Sequence, residues 1–166
     1  MTHVHLPKVF FPAVTMVMDT VKFLFVLSIL LLFLWSYGYP VTSAYFVFPL
    51  VLLVQLVLMA ALALLAAAAV PFLPDIRFAL DALLQFLFFL SGIFFAGSVL
   101  PEEYQGYFYL NPMAGLIEAH RDVLMYGTWP DFGYLAWVAG LSVVMLVLAN
   151  WILLRLDFVY PRIVGN

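Results

Sequence analysis

Long apolar runs alternate with short polar breaks along this chain of 166 residues. A membrane-spanning helix needs about 20 mostly apolar residues, and four stretches supply them: 13–37, 44–70, 78–100 and 132–154. The first closes at the turn-forming YGYP of residues 37–40 and the second at PFLPD of residues 71–75. Within the second, Gln55 is the one strongly polar side chain, and the Ala-rich run at 60–69 suits close helix approach in lipid. Polar chemistry gathers instead in residues 101–131. There GLIEAHRDVLMYG puts Leu116, Ala119, Val123 and Tyr126 on one helical face, with Glu118, Arg121 and Asp122 on another. Asn111 stands where an N-cap belongs, Pro112 at the first helical position and Gly127 at the C-terminal cap. Ahead of it, PEEYQGYFYL predicts a shorter helix starting at Pro101, with Glu102 and Glu103 in the first turn where the helix dipole favours acids. The pattern predicts an all-α integral membrane protein, with four transmembrane helices and two short helices before the last one.

Composition supports this. The chain is 67% hydrophobic and 9% charged, against roughly half apolar and a quarter charged in soluble domains. Six Lys and Arg residues set the expected orientation. With the N-terminus in the cytoplasm, Lys8, Lys22, Arg77, Arg155 and Arg162 fall on the inner side, and only Arg121 lies outside. Residues 101–131 are then an extracytoplasmic, re-entrant helical hairpin, and both termini are cytoplasmic. A net charge of −3 with no basic cluster argues against nucleic acid. The absence of cysteine excludes disulfides, thiolate metal sites and Cys nucleophiles. MTHVHLPKVFFP lacks the pattern of a signal peptide.

The order LPKVFFPAV, VMDTVKFLF, PDIRFALDALLQFLFFLSGIFF, YLNPMAGLIEAHRDVLMYG and RLDFVYPRI resembles the ABC-2 type permeases that export O-antigen or teichoic acid polysaccharides. YLNPMAGLIEAHR is the most specific piece and PDIRF the second. The resemblance implies that the two short helices are gate helices and that residues 1–12 are a cytoplasmic coupling segment. In that segment Leu6, Lys8, Phe10 and Phe11 would dock into an ABC ATPase subunit, which carries the ATP and Mg. It also implies a bacterial or archaeal inner membrane, a glycan substrate, and either a permease homodimer or a second membrane chain. The latter would supply the amphipathic helix and two further spanning helices that such permeases usually carry before the KVFFP-like segment. A second departure is LSGIFF, where the family more often has Ser-Pro; Gly92 keeps a kink available.

Single residues allow plain readings beside the functional ones. Asp19 and Lys22 are spaced to pair on one helix near the inner boundary. Asp75 and Arg77 form an inside turn, and Gln55 is placed to bond a neighbouring helix. Asp81 and Gln85, four residues apart in the third span, read equally as helix glue and as pore lining. Glu118, Arg121 and Asp122 read as a hydrated, internally paired helix face, and with His120 they complete no catalytic constellation. His3 and His5 lack a third metal ligand, and no phosphate-binding Gly-rich loop occurs. The outer aromatics, Tyr104 to Trp137, fit an interfacial belt, or in part a sugar-stacking exit path.

The resulting expectation is a non-enzymatic permease subunit without cofactor or metal of its own. Its path or gate would include Tyr107, Tyr109, Asn111, Pro112, Glu118, Arg121 and Asp122 outside, with Asp81 and Gln85 within the membrane. The alternatives are an ABC-2 exporter of a drug or lipid, and a truncated, non-transporting membrane scaffold.

Overall fold

The computed structural model describes residues 10–70 and 75–156, and among these the chain is helical, without strands. Six α-helices follow one another: α1 (Phe10–Ser36), α2 (Phe48–Ala69), α3 (Ile76–Leu90), α4 (Glu102–Phe108), α5 (Pro112–Arg121) and α6 (Phe132–Leu156). Short 3-10 turns at Ser43–Val47 and Gly97–Val99 and a π-helical turn at Asp122–Tyr126 complete the order. Leu6, Lys8, His3, His5 and the tail beyond residue 156 lie outside the described residues, whereas Phe10 and Phe11 already belong to α1.

Among the described residues, three helices are long and apolar enough to cross a membrane: Ala13–Ser36, Ser43–Ala69 and Phe132–Leu153. The stop of α1 is built from its sequence. Gly38 takes φ +86, Tyr39 N–H reaches the Leu34 carbonyl at 3.1 Å, and Gly38 N–H reaches that of Trp35 at 3.1 Å. This is a Schellman closure, and Pro40 cannot resume the helix.

The centre of the fold is the α2–α6 pair. Val51, Val54, Leu58, Ala61 and Ala68 are buried along one side of α2, and Leu135, Val138, Ser142, Ala149 and Leu153 along α6. In lipid the attraction between such faces is close packing rather than water exclusion, so the small Ala61, Ala68 and Ala149 matter by letting backbones approach. Ser142 satisfies its hydroxyl inside the pair by donating to the Val138 carbonyl at 2.7 Å. At one end the core continues through Ala44, Val47, Leu116, Ala119, Val123 and Leu124. Large side chains such as Val17, Phe25, Val26 and Leu32 on α1 stay uncovered, as a lipid-facing surface requires. Asp19 and Lys22 pair at 3.0 Å, as their spacing predicts.

The stretch 78–100, expected as the third of four spans, is a regular helix only in its first part. α3 ends at Leu90 after 15 residues, a length of about 22 Å against about 30 Å of hydrocarbon. Gly92 causes the stop. Its φ of +73 is a left-handed conformation that glycine adopts freely, and a Cβ there would stand 2.6 Å from the Phe108 ring. Gly92 thus ends the helix where the sequence left a kink available, and the apolar residues beyond it form turns instead of further helix. No residue of α3 is buried.

Candidate functional site

The site is built around α5, whose ends follow local rules. Asn111 Oδ1 accepts from Met113 N–H at 3.1 Å, Pro112 opens the helix, and Gly127 closes the following turn at φ +65. Ala114, Gly115, Leu116 and Ala119 turn inward. Val123 is fully buried, but Tyr126, expected on the same face, is 64% exposed. The π-helical turn over 122–126 explains this, because its wider winding rotates Tyr126 out of register.

Glu118 and Arg121 then share the opposite face without pairing with each other. Glu118 accepts from Gly97 N–H through Oε1 and from the Tyr109 hydroxyl through Oε2, both at 2.6 Å. Arg121 donates to the Ile93 carbonyl at 2.9 Å and to that of Phe95 at 3.5 Å. The internally paired face expected from the spacing is therefore replaced by two charges gripping one irregular backbone segment. That segment has free N–H and C=O groups, and at membrane depth such groups require partners. Asn111 adds a long contact from Nδ2 to the Leu87 carbonyl at 3.5 Å.

Tyr134, on α6, is a member of this cluster that the sequence pattern did not single out by role. Its hydroxyl lies 3.0 Å from the Tyr109 carbonyl and 2.9 Å from that of Asn111, donating across the break between α4 and α5. Gly115 makes room for its ring, since a Cβ there would sit 2.0 Å from the Tyr134 ring. Gly97 is equally constrained, with a virtual Cβ 2.7 Å from the Tyr109 hydroxyl and 2.9 Å from the Glu118 carboxylate. The signals available were only a Tyr one turn into an apolar run and a glycine in a helix.

Ser98, Gln105, Tyr109, Glu118, Arg121 and Asp122 line a polar cleft of about 440 Å³. Burial, reinforced by the hydrogen bond to Glu118, pushes the Tyr109 hydroxyl well above its ordinary range, so it remains a donor. Burial, then the Glu118 charge, raises the Asp122 carboxyl above the usual carboxylate value. Hydroxyl, amide, carboxylate and guanidinium groups around one opening can exchange hydrogen bonds with a polyhydroxylated molecule.

Behind α5 lies an apolar groove of about 320 Å³ against α1, with Gln55 and His120 at its wall. His120 Nδ1 is 2.7 Å from the Leu116 carbonyl, so it carries the proton, and the ring meets Phe48 edge-on at 5.7 Å. Its Nε2 is buried without a hydrogen-bond partner. Burial lowers the imidazole's affinity for a proton more than the Leu116 contact raises it.

The structure brings together Tyr109, Glu118, Arg121 and Asp122 at the cleft, and Asn111 is tied to Tyr109 through the Tyr134 hydroxyl. Tyr107 is 74% exposed and does not line the cleft. Asp81 and Gln85 sit exposed on α3 and form no hydrogen bond among the described residues. No group of three or more acidic or imidazole side chains suited to a metal occurs among the described residues.

Residues 3–125 match the model of the family described as ABC-2 type transporter. The chain is also 22% identical over 158 residues to the O-antigen export system permease protein RfbA of Klebsiella pneumoniae. That alignment covers 95% of this chain and 61% of the relative, so the chain spans less than two thirds of the relative's length. No solved structure matches.

Proposed function

Because the chain belongs to the ABC-2 type transporter family, we propose that it is the membrane-spanning permease of an exporter that moves a polysaccharide or lipid-linked glycan. A separate ABC subunit hydrolyses the ATP. The observation that carries the glycan reading is the alignment to an O-antigen export permease across 95% of the chain. The polar, tyrosine-bearing cleft at α4 and α5 supports it, because weak hydrogen bonds and flat aromatic faces suit a polymer that must slide and not stick.

In this reading α4 and α5 are the outer gate helices, and α3 with residues 91–99 is a fourth, interrupted crossing. The interruption is tolerable because Glu118 and Arg121 satisfy the backbone it frees. Tyr109, Asn111, Pro112, Glu118, Arg121 and Asp122 form the gate, and Tyr107 flanks it. Asp81 and Gln85 face a path completed by a second copy or a second membrane chain. Both termini lie in the cytoplasm of a bacterial or archaeal cell, with Leu6, Lys8, Phe10 and Phe11 at the ATPase.

The test is purification of the tagged chain in mild detergent, followed by reconstitution with the ABC subunit that co-purifies. Glycan from the source cell should stimulate ATP hydrolysis, and Asp122→Asn should alter that stimulation. Stimulation by lipids or drugs alone would move the chain to another branch of the family. Recovery of the chain with no ATPase, and no transport on reconstitution, would leave a structural membrane scaffold.

A further inference from the structure

Resting on the permease reading, we propose that Glu118 and Arg121 are positioning residues that fix residues 93–97 as a pivot, about which α3 swings as a lever. Three observations converge on this.

Among the described residues, the polar ties between the α3 arm and the rest of the fold lie at one end. Arg121 holds the Ile93 and Phe95 carbonyls, Glu118 holds Gly97 N–H, and Asn111 touches the Leu87 carbonyl. α5 in turn is anchored, since Leu116 and Ala119 are buried in the same core as α2 and α6. The clamp thus joins the arm to the part of the molecule least free to move.

The rest of α3 is loosely held. None of its residues is buried, and Leu80 looks onto Leu62, Leu65, Ala66, Ala69 and Ile152 across an apolar gap of about 570 Å³. In lipid, apolar helix faces gain little from closing such a gap, because the lipid tails are as apolar as the side chains.

A hinge sits between the clamp and the lever. Gly92 stands at φ +73, and a Cβ there would also meet the Phe95 carbonyl at 3.0 Å. Tilting α3 about this point is taken up at Gly92, while the bonds that hold residues 93–97 keep that segment and the α5 face in place.

The chain has no cysteine, so spin labels can be placed without background. Three double-cysteine variants of the full chain in lipid nanodiscs would be read by pulsed electron spin resonance. Leu90 with Tyr126 reports the clamped end, Phe78 with Val147 the free end, and Leu53 with Val144 the α2–α6 core; all six side chains are exposed. The clamped pair should give a narrow distance distribution and the free pair a broad one. Arg121→Ala should about double the width of the clamped pair, Arg121→Lys should restore most of it through its remaining donor, and the core pair should not change. The proposal is overturned if neither Arg121→Ala nor Glu118→Ala broadens the clamped pair, or if the free pair is as narrow as the core pair. It is equally overturned if the core pair broadens together with the clamped pair, since the two residues would then support the whole fold. The distances are read without substrate or nucleotide, so a failure of transport and a failure of the clamp are separate results.

Discussion

Tyr109 and Glu118 should be energetically coupled, and the coupling can be worked from the structure. The 2.6 Å separation between the Tyr109 hydroxyl and Glu118 Oε2 lies in the range of charge-assisted O–H···O bonds. Such bonds contribute about 1.5–3 kcal/mol net. The pair opens onto the polar cleft, where water relieves part of the loss, so about 1–2 kcal/mol is expected here. Tyr109→Phe removes the donor and leaves Oε2 able to take water. Glu118→Ala removes both acceptors and strands the Tyr109 hydroxyl and Gly97 N–H, so it should destabilise by about 2–4 kcal/mol, the larger of the two. The double variant should lose less than the sum of the singles by the coupling energy. Unfolding of the purified chain in mixed micelles, followed through its 4 tryptophans while sodium dodecyl sulfate is titrated in, supplies the four free energies. Additivity within about 0.3–0.5 kcal/mol would refute the bond as a stabilising contact.

Gly115→Ala should destabilise by about 1–3 kcal/mol, because its Cβ would fall 2.0 Å from the Tyr134 ring; the same micelle titration measures it, and a neutral result would mean the two helices do not meet there. His120 has a folded-state proton affinity lowered from its ordinary 6.5, so its stability contribution is full above that value and is lost as pH falls below it. His120→Leu should flatten the slope of stability against pH between about 7 and 5. Asp122, raised from 3.8, gives the opposite sign: its ionisation penalises the fold as pH rises above that value. Asp122→Asn should therefore stabilise at neutral pH and lose that advantage in acid, read from paired unfolding curves at the two pH values.

How far these features could be read in the sequence follows the range of the forces that set them. Asn111, Pro112 and Gly127 act within one turn of themselves, and the helix they delimit stands where the pattern put it. The apolar runs of α1, α2 and α6 are long enough to declare themselves by length alone. The stop after Leu90 was not legible, because residues 93–100 are as apolar as a span. Their escape from helix is supported by the N–H donors that Arg121, 28 residues from Ile93 in the chain, brings to the Ile93 and Phe95 carbonyls. Tyr134 was hidden for the same reason: an interfacial aromatic and a two-carbonyl tether look alike until the break they bridge has been placed. The π-helical turn left no composition signal, and it alone moved Tyr126 from the buried face to the exposed one.

The opposite charges of Glu118 and Arg121 have two possible explanations, and they predict different outcomes for one experiment. Spaced by one helical turn, the residues suit an ion pair with each other, in which case exchanging them would be nearly neutral. The structure instead gives each a different backbone partner: the carboxylate meets an N–H, at Gly97, and the guanidinium meets carbonyls, at Ile93 and Phe95. An acceptor cannot serve a carbonyl, and a guanidinium cannot serve an N–H. Glu118→Arg combined with Arg121→Glu would therefore leave both partners unmet and set a carboxylate against carbonyl oxygens. The exchanged protein should be less stable than Arg121→Ala alone, by about 1–3 kcal/mol for each stranded group. Stability of the exchange near that of the unaltered chain would show that the two side chains answer to each other. The irregular segment would then have to find its hydrogen bonds elsewhere, and the polar face of α5 would be an ordinary solvated surface instead of the support for a broken crossing.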